Sequence, residues 1–163
     1  MKYFWSYLTL ILLFVIQTTI GRHIEICGIS PNIVFVFAVC YSMYNFPVRS
    51  AVLCAAAGFL TDCFDMQLMG FNALIYMYIG LAVSVFGSSL MKKSLWAVAA
   101  GVIIVSAFSQ SINLILFYVL KGYAPFWYGF FRIVIPTTLY NGLFALIISS
   151  WARWLSEEQI RGF

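Results

Sequence analysis

Charge is what this sequence has least of: 9 Lys and Arg against 5 Asp and Glu in 163 residues, 9% in all, where an ordinary soluble domain carries about 25%. So few charged side chains cannot cover a globular surface. With 64% hydrophobic residues and a mean hydropathy of +0.99, the solvent for most of the chain must be lipid. Histidine is nearly absent as well. His23 stands alone between Arg22 and Glu25, so HExxH and every His-pair metal site are excluded, and no GxSxG or Gly-rich phosphate loop is present. The four cysteines, Cys27, Cys40, Cys54 and Cys63, have no CxxC spacing. Cys40 and Cys54 sit in apolar runs as small hydrophobes, and spacing alone does not bring Cys27 and Cys63 within bonding reach. No catalytic residue, cofactor site or metal site is expected. The net charge of +4 is too sparse to suggest nucleic acid, and no connection is long enough to form a soluble domain.

What is there is apolar sequence, in six runs. Tyr3 to Ile20 follows Lys2 in the manner of a signal peptide, but Gly21-Arg22-His23 offers no small-x-small cleavage site, so a retained helix is expected. The fold class is therefore an all-α integral membrane protein, a single domain over residues 1–163, with helices expected at 3–20, 31–46, 50–64, 71–90, 95–120 and 133–155. The second and third apolar runs, Pro31 to Phe46 and Ser50 to Thr61, are 16 and 12 residues long, short of the roughly 20 needed to span a bilayer. They are expected to pack as a hairpin about Pro47-Val48-Arg49, either thinning the bilayer or re-entering it.

Basic residues orient the bundle. With the N-terminus inside, Lys2, Arg49, Lys92, Lys93, Arg153 and Arg161 face the cytoplasm, and Arg22, Lys121 and Arg132 lie outside. That bias favours both termini in the cytoplasm. Trp5, Trp96, Trp127, Trp151 and Trp154 all fall near helix ends, where indoles prefer the headgroup region.

Polar groups within the apolar runs are the candidate functional residues. Asp62 closes a small-residue face, Ala51, Ala55 and Gly58, that permits close helix approach. Across the same outer face sits Arg132, four residues before Pro136, which should kink the last helix or loosen its first turn. An Asp62–Arg132 ion pair clamping the third helix to the sixth is one expectation; solvation of both charges is the other. Ser106, Gln110 and Asn113 form a polar stripe at i, i+4 and i+7. Thr137 and Asn141 repeat it in the last helix, Asn72 and Tyr76 in the fourth, and Gln17 is alone in the first. Interhelical hydrogen bonding is the simpler explanation of these groups and a transport cavity the alternative.

The order of these pieces resembles a known family. Gln17-Thr18-Thr19, then Gly28-Ile29-Ser30-Pro31-Asn32, Gly58-Phe59-Leu60-Thr61-Asp62, Gly70-Phe71-Asn72-Ala73-Leu74, Arg132-Ile133-Val134-Ile135-Pro136 and Leu139-Tyr140-Asn141 are similar to the rod shape-determining membrane protein MreD over nearly the whole chain. The resemblance implies six helices with both termini cytoplasmic, in a fold similar to the substrate-binding subunits of energy-coupling-factor vitamin transporters. It implies a non-enzymatic component of the bacterial cell-elongation complex in the inner membrane. The implied partners are MreC directly and, directly or through it, MreB, RodA and a penicillin-binding transpeptidase. Within that frame Pro31 starts the second helix, Gly58 permits close contact, and Gly70 turns the chain so that Asn72 caps or lines the fourth helix. Asp62, Gly70, Asn72, Arg132, Tyr140 and Asn141 are expected to shape an outer, fold-defining pocket, with partner binding spread over lipid-facing helix surfaces. A vitamin-transporter subunit is the alternative function.

Overall fold

The computed structural model describes residues 4–20, 31–65, 69–87, 95–121 and 126–160. Lys2, Arg22, Lys92, Lys93 and Arg161, on which part of the orientation argument rests, lie outside the described residues, as do His23 and Cys27. Those described form helices and no strand: α1 (Phe4–Ile20), α2 (Ile33–Tyr44), α3 (Pro47–Asp65), α4 (Phe71–Ala82), α5 (Leu95–Lys121) and α6 (Ile135–Ile160). A π-helical turn, Val83–Gly87, continues α4, and a short helical turn, Phe126–Gly129, leads through a second π-helical turn, Phe130–Val134, into α6.

α2 is apolar all round, and the structure shows why. From Ile33 to Met43 every residue is buried, with α6, α3 and α1 packed around it, as expected of a helix without a polar face. At about 18 Å it is too short for a bilayer core of about 30 Å. Its neighbours shield it, so it has no need to present a full-length surface to lipid. It also begins later than expected. Asn32 is the N-cap, its side chain accepting from the Phe35 N–H at 3.0 Å, so Pro31 stands before the cap rather than inside the helix.

The third helix is a correction of a different kind. It starts at Pro47 and has 19 residues, so Pro47-Val48-Arg49 is its first turn and not a linker. Proline is at no disadvantage there, since the first N–H groups of a helix have no internal partner, and the ladder opens with Ser50 N–H donating to Phe46 O. Reading Arg49 as a boundary started the expected helix three residues late, at 50, whereas its expected end at 64 lies one residue before the observed Asp65. Pro47–Phe64, Leu95–Leu116 and Phe130–Ala152 are long and apolar enough to cross a membrane, while Phe4–Thr19, Ile33–Tyr44 and Phe71–Phe86 are shorter apolar helices. α6 in turn extends to Ile160, beyond the expected end at 155. Ser156-Glu157-Glu158-Gln159 is polar but has good helix formers, so loss of hydropathy is not loss of helix.

α3 does pack against α2, but its most extensive contact is with α4. The approach is backbone to side chain at one end, where a Cβ on Gly80 would lie 2.7 Å from Cys54 Sγ and 3.0 Å from Ser50 O. At the other end, at Gly58, it is backbone to backbone. Four of the expected interfacial tryptophans, Trp5, Trp96, Trp127 and Trp151, are exposed, as lipid-headgroup anchors must be.

Candidate functional site

Gly70 occupies the N-cap of α4 with φ 93° and ψ −8°, a left-handed conformation that favours glycine. Glycine brings no side chain to cap the helix, so the first N–H groups of α4 need an acceptor from elsewhere. Asp62, at the end of α3, supplies it. Its Oδ2 accepts from Gly70 N–H at 2.9 Å and Ala73 N–H at 3.1 Å, and its Oδ1 accepts from Asn72 N–H at 3.2 Å. The carboxylate is 5% exposed and sits where the helix dipole favours an anion.

Gly58 lies one turn before Asp62 on the same face of α3. A Cβ there would meet Asn72 O at 2.4 Å and Ala73 Cα and N at 2.6 Å. Glycine at 58 and aspartate at 62 are thus two parts of one device: the first lets the start of α4 come against α3, and the second satisfies the N–H groups it brings. The bonds that the structure shows for the Asp62 carboxylate are therefore to the backbone at the start of α4, a role the expected ion pair with Arg132 did not include. Arg132 is exposed on the π-helical turn before α6.

A second cluster forms around Asn32. Its side-chain oxygen caps α2, its Nδ2 donates to Tyr76 Oη of α4 at 2.8 Å, and its backbone N–H donates to Asn141 Oδ1 of α6 at 2.9 Å. Asn141, fully buried, donates from Nδ2 to Ser106 Oγ of α5 at 2.7 Å. Gln17 Oε1 of α1 accepts from Val34 N–H at 3.0 Å. Asn72 links the two clusters along α4, one turn before Tyr76, and its Oδ1 accepts from Asn113 Nδ2 of α5 at 3.0 Å. Every helix from α1 to α6 therefore contributes a polar side chain to one end of the bundle. The ends that meet there are the finish of α1, α3 and α5 and the start of α2, α4 and α6, so the helices alternate in direction.

Within the expected stripe, Ser106 and Asn113 are held by these bonds, and Gln110 between them is half-buried. Pro136 is the second residue of α6 and has no N–H to give to the Arg132 carbonyl. The turn before it is π-helical, closed by Ile135 N–H donating to Phe130 O, which accommodates the missing bond without a break. Tyr140 packs on Phe144, ring centroids 5.7 Å apart. Asn32 is the residue sequence reasoning undervalued. A Pro-Asn pair immediately before an apolar run is a helix-start signal, but nothing local reveals that its amide reaches two other helices.

Chemically, these are amides, hydroxyls and one carboxylate that satisfy one another and the backbone. Among the described residues no group of three or more His, Cys, Asp or Glu side chains is placed to hold a metal ion. Cys63 is a free, exposed thiol and Cys40 and Cys54 are free and buried. If Asn141 is replaced by alanine, Asn32 N–H and Ser106 lose their partner. At about 0.6 kcal/mol for an average interhelical hydrogen bond in a membrane, plus a part of the cost of an unmet backbone donor, a loss of about 1–2 kcal/mol is expected from reversible unfolding in mixed micelles.

The family model described as rod shape-determining protein MreD matches residues 1–158. No curated protein and no solved structure matches the chain. The match takes in both halves of the α3–α4 device and all six helices that meet at the polar end. The chain belongs to the MreD family of rod shape-determining membrane proteins.

Proposed function

We propose that the protein is a six-span, non-enzymatic scaffold of the cell-elongation complex in the bacterial cytoplasmic membrane. It binds MreC and helps couple cytoplasmic MreB, with RodA and a penicillin-binding transpeptidase, to peptidoglycan synthesis. Both termini lie in the cytoplasm and the polar end faces outward. The alternation of the six helices supports this topology, because it leaves the start of α1 and the finish of α6 at the end away from the polar cluster, and the basic-residue bias supports the direction.

The observation that carries the scaffold reading is how the polar end is used. Asp62, Asn32, Asn72, Asn113 and Asn141 are bonded to other parts of this chain, which makes them fasteners of helices. A vitamin-binding subunit would need such groups aimed into an open cavity to take up a ligand. Partner contacts then fall to the apolar outer faces of the helices.

Depletion in a rod-shaped host is expected to round the cells, and MreC is expected to co-purify with the protein from detergent extracts. Normal rods together with no recovery of MreC would overturn the scaffold. A shift in unfolding temperature with one compound of a vitamin panel, in the purified protein, would favour the transporter subunit instead.

A further inference from the structure

The lipid-facing surface of the bundle has two heights. On one side the exposed large apolar residues run from Phe4 to Val15 along α1, from Val48 to Phe64 along α3 and from Leu74 to Phe86 along α4, bands of about 17, 24 and 18 Å. On the other side they run from Leu95 to Tyr118 along α5, and from Trp127 to Trp151 along α6 and the turns leading into it, about 35 and 36 Å. A bilayer core is about 30 Å thick, so the second side covers it and the first does not. We propose that the protein thins the bilayer against its α1, α3 and α4 side, in the leaflet at the polar end.

Side-chain contacts fix the relative levels of the two sides. Phe14 of α1 meets Phe64 of α3 edge to face, ring centroids 5.0 Å apart. Asp62 of α3 caps the start of α4, and Asn72 in the first turn of α4 bonds Asn113 of α5. From that shared level inward the sides nearly match, about 21 Å from Asn72 to Phe86 and about 26 Å from Asn113 to Trp96. Outward they part. α5 continues to Lys121, about 12 Å further, with Ile115 and Tyr118 exposed, and Trp127 and Phe131 are exposed on the approach to α6. The missing height therefore falls almost wholly at the polar end. A flat bilayer that covered the apolar residues of α5 and α6 would also draw the exposed Thr19 of α1 and the end of α3 into hydrocarbon. Tilting shortens the reach of a helix across the bilayer, so it cannot relieve a band that is already too short. Local thinning does, at a modest cost per ångström. The inference rests only on the protein lying in a membrane and is independent of its partners.

Two thiols at one level, on opposite sides, test this. Cys63 is free and exposed next to Asp62, and Cys40 and Cys54 are buried. Ile115, two residues past Asn113 on α5, is exposed and lies about 3 Å further out than Asn113. The full-length protein with Cys27→Ser is placed in nanodiscs of dioleoyl phosphatidylcholine and phosphatidylglycerol, whose two faces are both open to a membrane-impermeant maleimide. Cys63 is expected to react about tenfold faster than the thiol of Ile115→Cys in a protein that also carries Cys27→Ser and Cys63→Ser, because lipid stands higher against α5 than against α3. In discs of the shorter dimyristoleoyl lipids the whole bilayer is thin, and the two rates are expected to converge to within about twofold. Equal rates in the dioleoyl discs would overturn the thinning, as would a ratio that does not change with chain length.

Discussion

A Gly58→Ala protein is expected to lose about 3 kcal/mol of stability, and Gly58→Leu to fail to assemble α3 against α4 at all. Overpacking a core costs about 1–3 kcal/mol when side chains can yield. Here the atoms in the way are Asn72 O at 2.4 Å and the Ala73 backbone at 2.6 Å, which yield only if the helix start moves. Moving it also pulls the Asp62 carboxylate off its three N–H groups, so the steric and polar costs add. The control is Gly142→Ala, where a new Cβ would meet Ile103 Cγ1 at 2.5 Å and Cδ1 at 2.7 Å. Those are atoms of a flexible side chain, and a loss nearer about 1 kcal/mol is expected. Unfolding by sodium dodecyl sulfate in mixed micelles, followed by circular dichroism, measures both. Equal effects at the two glycines would refute the backbone-contact argument.

Asp62→Ala should be the next most damaging change, at about 3 kcal/mol. Loss of an N-cap side chain costs about 1 kcal/mol on average, but this carboxylate serves three donors in a buried site, and each stranded donor adds desolvation cost. Asp62→Asn keeps one acceptor oxygen and loses the charge that favours a helix N-terminus, so roughly half the loss is expected. Arg132→Ala decides between a cap and an ion-pair clamp. With Arg132 exposed and Asp62 bonded to backbone, it should change stability by no more than about 0.5 kcal/mol. A clamp would make Arg132→Ala and Asp62→Ala comparable, and a double-mutant cycle would show strong coupling.

These expectations use residues that the sequence had already singled out, but with altered roles. A carboxylate near the end of an apolar run was legible as a costly group that must have a reason. Its partner was not, because the N–H groups it meets belong to residues eight to eleven positions on, and backbone donors leave no trace in composition. The charge across the presumed face was the visible candidate. A polar cap on the next helix was the invisible one. The same blindness started α3 three residues late, since Pro47 and Arg49 interrupt hydropathy but not helical geometry.

Composition and periodicity by themselves determined that this is a helical membrane protein, that six apolar segments make it, and that Gly58, Asp62, Asn72 and Asn141 are the groups in those segments that need a close neighbour or a polar partner. Those properties depend on how much apolar surface each segment carries and on which residues lipid will not tolerate without a partner. Tertiary structure alone decided that α2 is the buried centre and not a span facing lipid, that Asp62 caps α4, and that Asn32 and Asn141 draw the helices together at one end. Each of those depends on which backbone donor and which side chain come within about 3 Å, a matter of packing between segments far apart in the chain. A period along one helix records which face is apolar, and it carries no information about which neighbour will cover that face.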